Sequence, residues 1–351
     1  MAYTTINKST DYFNTKLWSG NGSSQALTGV GHQTDMVWIK SRTDTRKHNM
    51  YDVVRGVQKR IVPNDTPAED TVPGVTAFGT DGFTVGSETD TNGGSRNFVG
   101  WSWKAGGGQG SSNTDGSINT TYTSVNTTAG FSISKYTGNA TSGATIGHGL
   151  GVTPKMIIIK GLGTTYNWIV GHNSLSTNWS KYLTLSTGDT AQTATNIFND
   201  TAPTSSVFSI GNALGVNTNN SDYIAYCFAE KQGYSKFGSY AGNQNNDGTF
   251  VYTGFKPSFI IIKRYSSGNP TSTNWQMFDN KRIGYNPSNY FLFPSLVNAE
   301  DTSNPQWLDI HSNGFKIRNT GADLNNSGHD YIYMAFGQSI VGSNNIPCNA
   351  R

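Results

Sequence analysis

Charge is scarce in this chain of 351 residues. Only 13% of its residues are charged, where about 25% is usual in globular proteins, and the formal net charge is +3. A balance so close to neutral does not indicate a polyanionic partner, so no nucleic-acid binding is expected. Aromatic residues reach 12%, and there are 41 glycines. Because disordered chains are poor in aromatics, the composition indicates folded domains with neutral, turn-rich surfaces.

Cysteine and long apolar runs are also scarce. The two cysteines, Cys227 and Cys348, cannot build a disulfide framework, so nothing indicates secretion by the producing cell. No apolar run approaches the ~20 residues of a transmembrane helix. The first eight residues lack the charged and apolar regions of a signal peptide. We therefore expect a soluble product made in a cytoplasm, with no membrane span.

Catalytic motifs are missing as well. The chain has no Gly-x-Ser-x-Gly elbow, no P-loop, no His-Glu-x-x-His and no Cys-x-x-Cys pair. The acidic pairs Glu69-Asp70 and Glu300-Asp301 could serve glycoside hydrolysis only if two carboxylates faced each other across a groove. Adjacent residues on a strand point to opposite faces. The sequence therefore predicts a protein that is not an enzyme.

Metal and cofactor sites are not expected either. His32 and His148 each follow a glycine and precede an apolar strand, but the third copy of this segment has Phe255 at that place. A position that accepts both histidine and phenylalanine indicates a packed turn rather than a ligand. Three loops rich in Asp and Asn, at 88–93, 245–248 and 323–328, leave calcium as an open alternative, although the same residues are ordinary turn formers.

One apolar strand occurs three times along the chain, as Asp35-Met-Val-Trp-Ile-Lys40, Lys155-Met-Ile-Ile-Ile-Lys160 and Ser258-Phe-Ile-Ile-Ile-Lys263. Each copy is followed by a second aromatic or apolar segment and later by a closing strand, at 97–103, 222–228 and 330–336. Such internal repetition indicates a repeated architecture. A continuous apolar run is typical of a strand buried on both faces.

These signals predict an all-β chain of three tandem, related domains of the β-sandwich or jelly-roll type. We assign an N-terminal arm (1–14), module 1 (15–105), a linker rich in Gly, Ser and Thr (106–128), module 2 (129–232), module 3 (233–340) and a C-terminal tail (341–351). The composition of the linker indicates flexibility, whereas the short join between modules 2 and 3 indicates a fixed mutual angle.

Two sets of residues are candidate contacts. Trp168 and Trp275 occupy matching positions and are predicted to anchor the core, whereas Trp179 and Trp307 lie in variable loops and are the candidates for stacking on sugar rings. A basic stretch, formed by Arg42, Arg46, Lys47, Arg55, Lys59 and Arg60, could contact an acidic partner. The alternative reading of that stretch is a solvated rim or a subunit interface.

Several segments resemble repeat modules in structural proteins of marine tailed bacteriophages, of the cyanophage and pelagiphage type. The segments that carry this resemblance are 12–22, 29–40, 55–60, 79–85, 101–106, 114–118, 128–133 and 147–160. The resemblance implies a virion protein of the tail-fibre or appendage kind, made in the host cytoplasm and assembled with other virion proteins. It also implies a homo-oligomer, with a trimer favoured, that contributes to recognition of host-surface glycans.

Two other functions stay open. The chain could be a capsid decoration or cement protein anchored by its N-terminal arm, or, more remotely, a polysaccharide depolymerase that uses Glu69 or Glu300. The resemblance transfers no catalytic residue, and module 3 departs most from the repeated pattern.

Overall fold

A computed structural model of the chain describes residues 3–163, 165–268, 273–288, 290–303, 308–339 and 341. Strands account for 41% of the chain and helices for 5%, and the sheets are antiparallel, so the prediction of a mostly β protein is confirmed. Trp307 and all of the predicted C-terminal tail except Val341 lie outside the described residues.

Module 1 contains three sheets. Its elements are a turn of 3-10 helix at Ser9–Asp11 and the strands β1 Phe13–Ser19, β2 Gln25–Thr28, β3 Met36–Ser41, β4 Asn49–Asp52, β5 Lys59–Arg60, β6 Asp70–Thr71, β7 Val75–Gly79, β8 Gly82–Val85 and β9 Asn97–Trp103, with the short helix α1 Thr89–Asn92 before β9. The largest sheet has the order β1-β9-β3-β4, the second β2-β8-β7, and β5 pairs with β6. The repeated apolar strand, β3, is therefore interior.

Module 2 repeats this plan with additions at both edges of its large sheet. Its strands are β10 Tyr122–Asn126, β11 Phe131–Thr137, β12 Ala144–Gly147, β13 Met156–Gly161, β14 Ile169–His172, β15 Lys181–Thr184, β16 Gln192–Thr193, β17 Val207–Ile210 and β18 Asp222–Phe228; its helices are α2 Thr195–Phe198 and α3 Leu214–Asn217. The large sheet runs β10-β11-β18-β13-β14-β15-β16, and β12 pairs with β17.

The described residues of module 3 form two sheets. Its strands are β19 Ser235–Ala241, β20 Phe250–Tyr252, β21 Phe255–Arg264, β22 Gln276–Asp279, β23 Leu308–His311, β24 Gly314–Ile317 and β25 Asp330–Ser339. The sheet orders are β19-β25-β21-β22 and β20-β24-β23. In each module the repeated strand pairs with the closing strand in the same register, as Trp38 opposite Trp101, Ile158 opposite Tyr226 and Ile261 opposite Met334.

Alternation along the paired strands explains where the core lies. One face of each large sheet contributes to a cluster of its own module, around Val37, Ile157 or Ile260. The opposite face of all three sheets contributes to one common central cluster. Its members include Trp38, Trp101 and Trp103 from module 1, Ile158, Tyr226 and Phe228 from module 2, and Ile261, Met334 and Phe336 from module 3. The strands are apolar on both faces because each sheet has a core on either side.

The predicted linker is more ordered than its composition indicates. It contains β10, the edge strand of the seven-stranded sheet, and Ile118 forms a parallel bridge with Ile146 that covers the edge of β12. Gln109 donates to the carbonyl of Val54 at 3.0 Å, and the amide of Gly107 donates to Asp35 at 2.9 Å. Backbone groups that pair with a sheet and with a buried carboxylate hold this segment against modules 1 and 2.

The N-terminal arm packs against module 3. Ile6 is 2% exposed and belongs to the central cluster, and the amide of Ser9 donates to Gln338 at 2.8 Å. Gln338 in turn donates to the carbonyl of Asn7 at 3.1 Å, and the Tyr3 hydroxyl donates to Gly254 at 2.9 Å. The arm thereby joins the first strand of module 1 to the last strand of module 3.

Candidate functional site

The junctions between modules repeat the same backbone hydrogen bond in cyclic order. In each case a backbone amide of one module donates to a backbone carbonyl of the next module. The residue with that carbonyl follows the last lysine of the repeated strand motif by two positions. The three bonds are Glu69 to Leu162 at 2.8 Å, Ala191 to Tyr265 at 2.9 Å and Glu300 to Arg42 at 2.9 Å. Module 1 therefore contacts module 2, module 2 contacts module 3, and module 3 contacts module 1.

A second cyclic set of bonds uses side chains at matching positions, where a buried ring nitrogen bonds a carbonyl of the preceding module. The pairs are Trp168 with Val62 at 2.8 Å, Trp275 with Thr184 at 2.9 Å and His48 with Phe293 at 3.0 Å. Trp168 and Trp275 are 0% and 1% exposed, so both anchor the core as predicted. Burial lowers the pKa of His48 well below its usual range, and its neighbour Lys40 lowers that pKa further.

Two of the junctions contain a buried ion triad. Arg55 bonds Asp52 at 2.6 Å and Glu69 at 3.1 Å, and the hydroxyl of Tyr226 in module 2 donates to Asp52 at 2.6 Å. Burial opposes the charge of Arg55, but the two carboxylates outweigh this effect and raise its pKa. The triad therefore holds a charged guanidinium between modules 1 and 2.

The second triad lies at the junction of modules 3 and 1. Arg282 bonds Asp279 at 2.6 Å and Glu300 at 3.0 Å, and the indole of Trp101 donates to Asp279 at 3.0 Å. Both side chains of the Arg282–Asp279 pair are 0% exposed. A buried pair of this kind is costly to break, because one charge then stays in the interior without its partner.

The third junction replaces the whole triad. His172, Leu175 and Ala191 occupy the positions of aspartate, arginine and glutamate. His172 bonds the carbonyl of Tyr333 through Nε2 at 3.3 Å and accepts from the amide of Ser174 through Nδ1 at 3.1 Å. Burial lowers the pKa of His172 to about 4, so the neutral ring with its proton on Nε2 fits this junction.

The basic stretch is paired within the chain rather than open to a polyanion. Each of the four arginines bonds at least one carboxylate, Lys47 pairs with Asp65 at 3.2 Å, and Lys59 donates to Thr71 at 3.1 Å. The arginine pairs are Arg42 with Glu300, Arg46 with Asp90, Arg55 with Asp52 and Glu69, and Arg60 with Asp70 and Glu88. Two of its members lie at junctions between modules of the chain: Arg42 reaches Glu300 of module 3, and Arg55 lies beside Tyr226 of module 2.

The prediction that Trp179 lies on the surface is wrong. Trp179 is 4% exposed and packs edge-on against Phe198 at 5.2 Å between ring centroids. The corresponding space in modules 1 and 3 belongs to Tyr51 and Phe278, but module 2 has Gly171 there. A Cβ on Gly171 would lie 2.4 Å from the Trp179 ring. The tryptophan fills the space that the glycine leaves. Trp307, the other tryptophan predicted to stack on sugar rings, lies outside the described residues.

The histidines and carboxylates that could have served chemistry are also packed or paired. His32 contacts the carbonyl of Thr10 at 2.8 Å and the Ser102 hydroxyl at 3.0 Å, and burial lowers its pKa to about 4. Burial likewise lowers the pKa of His148. Within the described part of the chain, no group of three or more His, Cys, Asp or Glu side chains is arranged to hold a metal ion. Among these same residues, no helix is long and apolar enough to cross a bilayer.

Each module also contains a buried asparagine that the repeat search did not identify. Asn92, Asn217 and Asn325 are 0% exposed, and each side-chain amide donates to carbonyls of two separate loops. The bonds are Asn92 to Ser23 and Gly86, Asn217 to Thr141 and Gly211, and Asn325 to Asn245 and Asn319. A sequence signal exists, because each asparagine precedes the first aromatic of the closing strand by six positions.

Exposed aromatic side chains concentrate in module 3. Among the described residues, the large apolar side chains classed as exposed include three aromatics, Phe250 (44%), Tyr252 (56%) and Tyr285 (72%). Phe250 and Tyr252 lie on β20, where the matching residues of β2 and β12 are small or hydroxyl-bearing. Among the described residues, these three rings distinguish the surface of module 3 from the surfaces of modules 1 and 2.

One family matches nearly the whole chain. The family is described as Domain of unknown function (DUF7483), and the match covers residues 8–339. No curated protein and no solved structure matches the chain.

Proposed function

The chain belongs to the DUF7483 family, and we propose that it is a non-enzymatic structural protein of a bacteriophage virion, a tail-fibre or appendage subunit that contributes to recognition of host-surface glycans. The sequence resemblance to phage repeat modules supplies the virion context. We also propose that its three modules are related β-sandwiches of the jelly-roll type, grouped around the common central cluster.

The cyclic contacts between modules carry this proposal. Three matching backbone bonds and three matching ring-nitrogen bonds surround one apolar cluster to which every module contributes. A shared core with paired polar groups resists bending, because movement of one module would expose apolar surface and leave carbonyls without donors. A rigid body with neutral outer surfaces is suited to a structural and binding role in a particle.

The carboxylates proposed for the depolymerase alternative are engaged in ion pairs within the chain. Glu69 and Glu300, the candidates for a depolymerase, bond Arg55 and Arg282 within the junctions. A depolymerase needs two carboxylates on opposite sides of a substrate groove. Polysaccharide cleavage by the purified chain, abolished in Glu69→Gln or Glu300→Gln, would overturn this part of the proposal.

The decoration alternative depended on a free N-terminal arm. Ile6 belongs to the central cluster and Ser9 bonds Gln338 of module 3, so the described part of the arm is engaged within the chain. This packing favours the appendage proposal over a capsid anchor formed by the arm.

Cryo-electron microscopy of intact virions tests the proposal. We expect density for the chain on the tail or its fibres and binding of the fluorescently labelled protein to susceptible cells. Density spread over the capsid shell would instead assign a decoration role, and absence of the chain from virions would refute the virion context. Native mass spectrometry of the purified protein tests the homotrimer implied by the resemblance.

A further inference from the structure

The lysine that ends each copy of the repeated strand motif is buried. Lys40, Lys160 and Lys263 are each 0% exposed, although a lysine is almost never fully buried unless its charge is paired. Their hydrogen-bond partners in the described part of the chain are carbonyl and hydroxyl oxygens rather than carboxylates. Three amines at matching positions therefore lie in the interior without a bonded counter-ion.

Lys160 joins module 2 to module 1. Its Nζ donates to the carbonyl of Thr66 in module 1 at 2.7 Å and to the carbonyl of Tyr166 in its own module at 2.6 Å. Thr66 follows Val62 by four positions, and the carbonyl of Val62 accepts from the indole of Trp168 at the same junction. The amine therefore adds a second side-chain contact between these two modules.

Lys263 repeats this arrangement between modules 3 and 2. Its Nζ donates to the carbonyl of Gly188 in module 2 at 2.7 Å and to the carbonyl of Thr273 in module 3. The hydroxyl of Thr273 lies 3.3 Å from the same nitrogen. Gly188 follows Thr184, which accepts from the indole of Trp275, by four positions. The second junction therefore matches the first.

The third junction differs. Lys40 donates to the carbonyls of Ser41 at 2.8 Å and Asp44 at 3.3 Å, both in module 1. The matching carbonyl of module 3, that of Val297, accepts from the backbone amide of Arg46 at 2.9 Å. Lys40 is therefore a buried amine at the same strand position that does not join two modules, and it serves as a matched control.

The number of acceptors fits an uncharged amine at both junctions. A neutral amine has two N–H groups and one lone pair, whereas an ammonium has three N–H groups. Lys160 has two carbonyl acceptors, and Lys263 has two carbonyl acceptors and the Thr273 hydroxyl, which can donate to the lone pair. An ammonium at either place would keep a full charge in the interior without a bonded carboxylate, which is costly.

The charged group that faces Lys160 is engaged elsewhere. Burial lowers the pKa of Lys160 to about 8, and Asp65 of module 1 opposes this shift. Asp65 pairs with Lys47 at 3.2 Å, and both of these side chains are 42% exposed. Because the carboxylate is open to water and already paired, it compensates only part of the cost of a buried ammonium.

The charged groups around Lys263 act in both directions. Burial lowers the pKa of Lys263 to about 7; Asp323 and Asp189 oppose this shift, and Arg264 adds to it. Asp323 accepts from the backbone amide of Asn274 at 3.0 Å, so its carboxylate is held away from the amine. The surroundings of Lys263 therefore favour the uncharged form, as its hydrogen bonds do.

We propose that Lys160 and Lys263 join the modules as uncharged amines, and that uptake of a proton by either amine weakens its junction. Two of the three junctions are then sensitive to pH, whereas the junction of modules 3 and 1 lacks such an amine. This inference goes beyond the proposed function and does not depend on the virion context, because it concerns contacts within the purified chain.

The sign of the pH effect follows from linkage. The pKa of both amines lies below the ordinary lysine value of 10.5 in the folded protein, so between these values the unfolded chain binds more protons and stability rises with pH. Below the folded pKa both states hold the proton and this gain is absent. From pH 7 to 9 the unfolding equilibrium constant should fall about tenfold for an amine with a folded pKa near 8, and about fiftyfold for one near 7.

Urea denaturation at pH 7 and pH 9 measures this change, in a range below the pH of about 10 at which tyrosines of the unfolded chain ionise. The double variant Lys160→Met with Lys263→Met leaves carbonyls without donors and should be less stable at both pH values. Its unfolding constant should nevertheless change less with pH than that of the natural chain. An equal change in both proteins would overturn the proposal.

Nuclear magnetic resonance of the unaltered chain gives a direct readout that does not depend on variants that fold. With lysine labelled at Cε, we expect three resonances that titrate at about pH 7 to 8. Exposed lysines such as Lys181 should titrate near the usual pKa of about 10.4. Titration of every lysine near pH 10 would show that the buried amines are charged and would refute the proposal.

Hydrogen exchange locates the effect at the junctions. The backbone amides of Glu69, Ala191 and Glu300 each donate across one junction. Between pH 8.5 and 6.5, after correction for the intrinsic rate, protection of Glu69 and Ala191 should fall relative to that of Glu300. Lys263→Met should abolish the response of Ala191, and Lys40→Met should leave the responses of Glu69 and Ala191 unchanged. Equal responses at all three amides would show that protonation does not act through these two junctions.

Discussion

Arg282→Leu should destabilise the protein more than the loss of its whole triad. The guanidinium is fully buried between Asp279, also fully buried, and Glu300, which is 6% exposed. Removal of the arginine leaves Asp279 in the interior with only neutral donors, the indole of Trp101 and the backbone amides that follow it. Breaking one side of a buried pair typically costs about 3–5 kcal/mol, and we expect a loss of that size in the free energy of unfolding.

The chain itself provides the compensated alternative. Module 2 has His172, Leu175 and Ala191 at the corresponding positions, so Asp279→His, Arg282→Leu and Glu300→Ala together give this junction the same three neutral residues. Arg42, whose side chain is 19% exposed, then loses its partner Glu300, but its guanidinium keeps access to water. Replacement of a complete buried ion group by neutral residues is often neutral or even stabilising by about 1–4 kcal/mol. We therefore expect the triple variant to be at least about 2 kcal/mol more stable than Arg282→Leu alone.

Urea denaturation, followed by tryptophan fluorescence, measures these differences provided that the slopes of the transitions agree. The matched control is Arg318→Leu, which removes a surface arginine that is 38% exposed and pairs with Asp309 at 3.4 Å. An exposed pair contributes at most about 1 kcal/mol. If the triple variant is as unstable as Arg282→Leu, or if Arg282→Leu matches the control, the triad does not stabilise the junction through paired charge.

Three further outcomes are expected. Trp275→Phe should lose about 1–3 kcal/mol of unfolding free energy, because the carbonyl of Thr184 then stays buried without its donor. Trp168→Phe should lose a similar amount. An unchanged urea midpoint in both variants would contradict a stabilising role for these hydrogen bonds. The free energy of unfolding should fall as the pH drops from about 6.5 to 4. The pKa of His172 is about 4 in the folded protein and about 6.5 in the unfolded chain, so the unfolded chain takes up the proton first. The stabilisation is therefore complete above the unfolded pKa and is lost on acidification. Denaturation across this range should show a weaker pH dependence for His172→Leu, by up to about 1.4 kcal/mol per pH unit, and an identical slope would refute the assignment. Trp179→Ala should destabilise the fold by about 3–5 kcal/mol in urea denaturation, because its buried ring packs against Phe198; an unchanged urea midpoint would contradict this packing.

Strand content and the position of the repeated strand were predictable from sequence. A run such as Met156-Ile-Ile-Ile159 has no polar face, so it can lie only where a core covers both sides of the sheet. Trp168 and Trp275 were predictable core residues for a similar reason, since their alignment places them after that strand in two modules. Hydrophobic periodicity and composition suffice for these conclusions, because each conclusion concerns only the local environment of one segment.

The pairing of charges was not predictable in the same way. Most of the basic stretch from Arg42 to Arg60 pairs with carboxylates of its own module, between Asp52 and Asp90, but sequence does not show which charges meet. Glu300 reaches Arg42 only because module 3 closes the cycle onto module 1. Trp179 was misassigned for a related reason: its loop varies between modules, but the glycine that makes room for its ring lies on the neighbouring strand β14.

The sequence by itself determined the β character of the chain and the buried strands, because both follow from side-chain periodicity within a few residues. It also showed the threefold repetition, because the repeated strand and the closing strand each match in three places. Only the tertiary structure decided which surfaces are free. The three modules share one core, and module 3 closes onto module 1 through the pair of Glu300 with Arg42. These features depend on contacts between residues more than a hundred positions apart, and side-chain periodicity carries no information about such contacts.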